Sequence, residues 1–299
     1  MGAGGVGGYF GARLQQAGHD VTFFARGRHL DAIRSSGLKV ESPYGNAQLK
    51  VRVFEDPREA DMADVVLFAV KLWDTESAAE RLRPIVGPET VIIPFQNGVE
   101  SISRLRTVFA EKTVMGGSAY IATRIKAPGV IEHTGQMCRL QFGAVTPSQR
   151  PMAEKFLAAC REAKIQAEIP DDIVRANWEK FAFLVAVSSA TAVARAPLGV
   201  VRSDPDLRWL FEQAMRETWR VGRARGVALG DDYIENRMKF ADGLHADMKA
   251  SLAHDLENRG RLEAPWLCGA VVRMSEEAGL DAPVNRSVYA ALKPYINGQ

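Results

Sequence analysis

The feature that most constrains this chain stands at its start. Gly2-Ala3-Gly4-Gly5-Val6-Gly7 follows the pattern G-x-G-x-x-G and opens a helix, expected over residues 7–17, that carries Tyr9, Leu14 and Ala17 and stops at Gly18. Val21-Thr22-Phe23-Phe24 then reads as a buried strand. A glycine-rich turn that leads into a helix presents unpaired N–H groups and the positive end of the helix dipole to an anion. Gly2 permits the tight turn, Gly4 lets backbone approach a pyrophosphate, and Gly7 allows helix and strand to pack closely. Gly2, Gly4, Gly5, Val6 and Gly7 are therefore the expected dinucleotide-binding residues. The strand that should feed this loop has no residues in the sequence, and residues upstream of Met1 are expected to supply it.

The end of the strand after the glycine helix reads the adenosine ribose. An NAD enzyme places Asp or Glu there, to accept from the 2′-hydroxyl. This chain places Arg26, with Arg28 close behind, while Asp20 lies at the wrong end of the strand. A guanidinium matches a 2′-phosphate in charge and geometry, so the expected cofactor is NADP(H). Lys71 follows the apolar run Val65–Val70, at the carboxyl end of a strand where ligands gather, and can add a second positive charge. Asn97, in Gln96-Asn97-Gly98 after the strand Val91–Phe95, can hydrogen-bond ribose or nicotinamide; Asn-Gly is also a turn signal in its own right.

Short β-rich runs and helical patterns alternate through the first half, which predicts an α/β fold with a doubly wound parallel sheet of the Rossmann type. Within it, Leu38–Ser42 and Gln48–Phe54 read as a hairpin turning at Gly45-Asn46. Helices are expected over 74–85 and from about Ser101. After Lys112, strands are expected at Val114–Ile121, Gly129–His133 and Arg139–Phe142, then a helix over 152–163 and a strand at Ile165–Ile169. From Asp171 onward nearly everything reads helical. The expected domains are an NADP-binding Rossmann-type domain over residues 1–169 and an all-helical substrate and catalytic domain over 170–299.

Composition narrows the function classes. In 299 residues, Lys plus Arg (38) nearly balances Asp plus Glu (36), and no basic run marks a nucleic-acid surface. The most apolar segment, Phe181–Ala194, is interrupted by Ser188, Ser189 and Thr191 and falls short of the ~20 residues of a membrane span. With no secretory signal visible and three isolated cysteines, a cytoplasmic location with reduced thiols is expected. The five histidines lack ligand spacing, so no metal is expected. Trp209, Phe211, Trp219 and Trp266 are expected mainly in the core, with a homodimer as the lesser expectation.

In the second half one lysine enters an apolar helix, Asn177-Trp178-Glu179-Lys180-Phe181-Ala182-Phe183-Leu184. Lys180, Leu184 and Ser188 are spaced by four and share a face. A lysine drawn against an apolar wall loses solvation, its pKa falls, and it becomes a proton donor near neutral pH. A lysine snorkelling from the helix end fits the same pattern. Further on, Ser251 and Glu263 flank the break Arg259-Gly260-Arg261. A hydroxyl and a carboxylate near helix starts can hold a polar substrate, or be a surface hydroxyl and a helix-dipole partner.

Along nearly its whole length the chain resembles the ketopantoate reductase family, the 2-dehydropantoate 2-reductases. The resemblance rests on the glycine motif with Arg26, Val70-Lys71-Leu72-Trp73, Gln96-Asn97-Gly98, Met115-Gly116-Gly117, Asn177-Trp178-Glu179-Lys180, Ser251–Asp255 and Glu263. It implies reduction of ketopantoate or a related 2-oxo acid to the 2-hydroxy acid by NADPH, with Lys180 protonating the forming alkoxide. It further implies that Glu263 meets the hydroxyl, Ser251 the carboxylate or diol end, Asn97 both cofactor and substrate, and the backbone at Ala122 the cofactor.

The chain departs from the family pattern where substrate is bound. Two asparagines one and two turns after the lysine are replaced by Leu184 and Ser188, another by Met248, and an Ile-Asp-Tyr-x-Asn-Gly segment by Ala264–Gly269. The substrate-binding set is then Asn97, Lys180, Leu184, Ser188, Ser251 and Glu263, with changed selectivity for hydroxylated substrates expected. Two rival readings are a β-hydroxyacid dehydrogenase of the 3-hydroxyisobutyrate type and a non-catalytic NADP(H)-sensing protein. Arg26, and Glu263 following Ser251, favour the reductase over the former.

Overall fold

Buried aromatic residues on α1 (Gly5–Gln16) define the first of two units. Tyr9, Phe10, Ala12 and Leu14 belong to one core with Phe23, Leu38, Val40, Ile131 and Leu140. The computed structural model describes residues 1–298, which divide into Met1–Gln96 with Glu100–Ile173, and Asn97–Val99 with Val174 onward.

In the first unit α1 leads to β1 (Thr22–Phe24), α2 (Gly27–Ser36), β2 (Leu38–Glu41), β3 (Ala47–Leu49) and β4 (Arg52–Phe54). Then come β5 (Val65–Phe68), α3 (Thr75–Leu82), β6 (Val91–Pro94), α4 (Ser101–Arg106), β7 (Gly116–Ala127), β8 (Val130–Gly143), α5 (Arg150–Glu162) and β9 (Gln166–Glu168). β1 pairs with β4 and β5 with β6, both parallel. Met1 to Ala3 lie between the two pairs. The Ala3 N–H donates to Phe24 O (2.9 Å), the Met1 amine to Leu67 O (2.8 Å), and the Ala69 N–H to Met1 O (2.9 Å). Three residues thus fill the slot of the central strand at the point where the glycine loop leaves it. Phe68, Leu82, Ile92 and Leu105 form a second core in the same unit.

Three expectations change here. The run Gln48–Phe54 is not one hairpin arm: Ala47–Leu49 pairs antiparallel with β2, whereas Arg52–Phe54 joins β1. The three strands expected after Lys112 are two long ones, β7 and β8, antiparallel, with shifts of register at Ile121/Ala122 and Ile125/Ala127. Exposed positions at the hairpin's far end break the apolar pattern without breaking the ladder. The third change is α2, absent from the sequence reading because only Leu30 and Ile33 are buried on it. β8 pairs parallel with β2 through residues 130–132 and with β9 through 139–141.

The second unit is helical: α6 (Ile173–Ala194), α7 (Leu198–Ser203), α8 (Pro205–Ala224), α9 (Tyr233–Asp242), α10 (Ser251–Glu257), α11 (Cys268–Glu277) and α12 (Pro283–Leu292). Apolar residues surround much of α6, which passes through two cores containing Phe181 and Val185, and Ala182, Ala186 and Ala190. α8 starts where the Asp204 carboxylate accepts from Asp206 N and Leu207 N. The buried Glu217 carboxylate on α8 accepts from Val284 N and Asn285 N (2.9 Å each) and Asn285 Nδ2 (2.7 Å), which caps α12. Phe211 is buried, but Trp209, expected in the core, is 58% exposed because α8 turns that position outward. No helix of the described residues is long and apolar enough to cross a membrane.

Candidate active site

The glycine loop has the geometry its residue types demand. Gly2 has φ +86°, and a Cβ there would lie 2.9 Å from Val70 N. A Cβ on Gly7 would lie 2.3 Å from Gly2 O, so any larger residue would push α1 off the loop. At Gly4 nothing lies within 4 Å of such a Cβ, which leaves open space where backbone must approach a pyrophosphate. Gly5 and Val6 form the first turn of α1. That turn has neither a side-chain cap nor an acidic residue, so its N–H groups can turn to an anion. These features fit a nicotinamide dinucleotide.

Three residues to which the sequence assigns no role of their own support the loop and the turn beside it. Thr123 Oγ1 is buried without a hydrogen-bond partner among the described residues; it lies beside Gly5, where an added Cβ would come within 2.8 Å of it. It follows exposed Ala122 at the bulge in β7. His29 Nδ1 accepts from the Gly129 N–H (3.0 Å), which leaves the proton on Nε2 to be donated to Ala3 O (2.8 Å). Gln96 is the third. Its Nε2 donates to Val70 O and Thr75 Oγ1 (2.9 Å each), and Thr75 Oγ1 donates to Leu72 O (2.9 Å). Gln96 thereby stiffens the turn that carries Lys71, whose ammonium lies 5.5 Å from the centre of the Trp73 ring. Arg26, at the N-cap of α2, donates through Nη2 to Asp74 Oδ2 at 2.6 Å.

Lys180, Leu184 and Ser188 follow one another along α6 in the second unit. Desolvation pushes the Lys180 ammonium down to about 8, against the pull of the Glu263 carboxylate, which raises it. Lys180 Nζ lies 3.4 Å from Asn97 Oδ1, a long contact. Asn97 belongs to this unit through the short excursion Asn97–Val99, and Gly98 follows it at φ +88°. Asn97, Lys180 and Glu263 are thus brought together. Glu263 is buried just before a short turn at Ala264–Trp266. Ser188 is buried, with its Oγ lacking a hydrogen-bond partner among the described residues, while Leu184 packs against both cores of the unit. Ser251, exposed, is the first residue of α10.

Comparison with known proteins decides the family. The profile described as ketopantoate reductase PanE/ApbA matches residues 1–147, and its C-terminal counterpart matches residues 172–296. The chain belongs to the ketopantoate reductase family. A 2-dehydropantoate 2-reductase of Archaeoglobus fulgidus is 33% identical over all of this chain and 97% of its own length. An uncharacterized oxidoreductase of Bacillus subtilis, YkpB, is 31% identical over 99% of this chain and 97% of its own length. The crystal structure of a PanE/ApbA family ketopantoate reductase from Ralstonia eutropha superposes with a TM-score of 0.90. It is 32% identical and covers 99% of this chain and 97% of its own. As a ketopantoate reductase family member the chain has an NAD(P)-dependent dehydrogenase fold, and its relatives indicate oxidoreductase chemistry on a CH–OH group.

Proposed function

We propose that this protein reduces 2-dehydropantoate, or a related 2-oxo acid, to the 2-hydroxy acid with NADPH. The observation that carries the reading is Lys180: a lysine with its pKa brought down to about 8, beside Asn97 and within the field of Glu263. When bound, NADPH supplies a hydride to the C2 carbonyl carbon. Gly2, Gly4, Gly5, Val6 and Gly7, with the backbone at Ala122, hold the dinucleotide, while Arg26 and Lys71 meet the 2′-phosphate.

Lys180 acts on the other end of the carbonyl. The ammonium would both stabilise the negative charge that develops on the carbonyl oxygen and transfer one proton to it. The products are the 2-hydroxy acid and a neutral amine, which solvent reprotonates. Asn97 orients the Lys180 ammonium and can donate through its amide to the substrate. Glu263 accepts from the new hydroxyl, and Ser251 donates to the carboxylate end. Leu184, where the family pattern places an amide, offers apolar surface, and Ser188 offers one hydroxyl.

The test is NADPH oxidation followed by absorbance, comparing ketopantoate with pyruvate-like and branched 2-oxo acids. Turnover of ketopantoate or a close 2-oxo acid supports the reading. Oxidation of 3-hydroxy acids with no reduction of any 2-oxo acid would overturn it.

A further inference from the structure

Arg26 and Asp74 reach the same place from segments 48 residues apart. Their bond is 2.6 Å long, and the two partners are held differently: the Arg26 side chain is 69% exposed, the Asp74 side chain 22%. Asp74 sits on a rigid turn. Its N–H donates to Lys71 O (2.9 Å), its carbonyl accepts from Ser77 Oγ (3.1 Å), and Gln96 and Thr75 brace the same segment. The carboxylate is therefore the fixed member of the pair and the guanidinium the adjustable one.

Residue chemistry at this position separates the two nicotinamide cofactors. A carboxylate accepts from a ribose 2′-hydroxyl and repels a 2′-phosphate, whereas a guanidinium binds the phosphate. This chain presents both at one point, the arginine from the end of β1 and the carboxylate from the turn after β5. A 2′-phosphate, with about −1.5 to −2 charge, must share Arg26 with a carboxylate already bonded to it. An unphosphorylated ribose meets an acceptor that costs no rearrangement.

We infer that Asp74 is a specificity-determining residue that competes with the 2′-phosphate for Arg26, so that the protein accepts NADH as well as NADPH with only a modest preference for the latter. The inference rests on the reading of the glycine loop as a nicotinamide dinucleotide site. It concerns discrimination between the two cofactors rather than the reaction.

The test is direct binding, without substrate. Kd for NADPH and NADH is read from the fluorescence of the reduced nicotinamide, and Kd for 2′,5′-ADP and 5′-AMP by displacement, in the parent protein, Asp74→Asn, Arg26→Gln and the double variant. Release of the Arg26 guanidinium from the carboxylate is expected to tighten NADPH and 2′,5′-ADP about 5–20-fold in Asp74→Asn. NADH and 5′-AMP should hold constant or weaken slightly. In the Arg26→Gln background the gain should shrink to less than about 2-fold, because the competition is for that guanidinium.

Weaker NADPH binding in Asp74→Asn, or an unchanged NADPH/NADH ratio, would overturn the inference and leave Asp74 as a residue that orients Arg26. A parent protein that binds NADPH but not NADH would overturn it as well. Failure of the parent to bind either nucleotide would instead defeat the cofactor reading itself, and the inference with it.

Discussion

Lys180 and Asn97, 83 residues apart, meet at 3.4 Å between Nζ and Oδ1 in the helical unit. Asn97 reaches that unit by a three-residue excursion of the chain between β6 and α4. The amide oxygen is an acceptor and not a donor, so it takes one N–H of the lysine and draws the ammonium in one direction. Replacing Lys180 by Ala should lower kcat/KM for the 2-oxo acid by ~10²-fold or more, as losses of a general acid do, with Kd for NADPH changed less than about 3-fold. Steady-state rates paired with fluorescence titration check this. Turnover unaffected by the substitution would remove Lys180 from the reaction.

The proton donor also sets a pH limb. Lys180 can give up a proton only while it is an ammonium, so kcat/KM for reduction should fall as pH rises through about 8. Stability moves the opposite way. Between about 8 and the ordinary lysine value of 10.5 the unfolded chain binds more protons than the folded one, so folding stability gains as pH rises through that window. The cost is full below pH 8. Lys180→Met removes that titration, so the Tm of the parent should rise relative to the variant between pH 8 and pH 10. Thermal scans across that range decide it, and a Tm difference that stays constant with pH would count against a desolvated ammonium.

Gln96 should behave as a strut. Substituting Leu removes the donors to Val70 O and Thr75 Oγ1, both inside the fold, at a cost of about 2–4 kcal/mol. Because the braced turn carries Lys71 and Asp74, NADPH affinity should fall as well. Urea unfolding and nucleotide titration on Gln96→Leu test the two effects separately; lost stability with intact affinity would mean the turn does not position the cofactor residues.

Ser188 offers a test of substrate contact. Its buried hydroxyl oxygen lacks a hydrogen-bond partner among the described residues. Ser188→Ala should stabilise the unliganded protein by about 1 kcal/mol, since an unmet polar group leaves the interior. If the hydroxyl binds substrate, KM for the 2-oxo acid should rise about 5–10-fold with kcat little altered. A stability gain with constant KM would remove Ser188 from the substrate-binding set.

The sequence by itself determined whatever depends on neighbours within a few positions. Gly2 at positive φ, Gly7 against Gly2 O and open space at Gly4 follow from the order of glycines before a helix. Lys180, Leu184 and Ser188 share a face because a helix repeats every 3.6 residues. Arg26 stands where the end of β1 must put it. Local period and local sterics suffice for these.

Only the tertiary structure decided the rest. Residues 48–54 looked like one arm of a hairpin, yet β3 and β4 pair with different strands, because each finds its partner through hydrogen bonds to segments distant in sequence. The low apolar content of α2 hid a helix that needs only Leu30 and Ile33 to dock. Asp74 against Arg26, Gln96 beneath Lys71, Asn97 beside Lys180 and Glu217 capping α12 all join residues 20 or more positions apart. Such pairs leave no periodic trace. They form when burial removes water and a polar group must take whatever partner the packed chain brings to it.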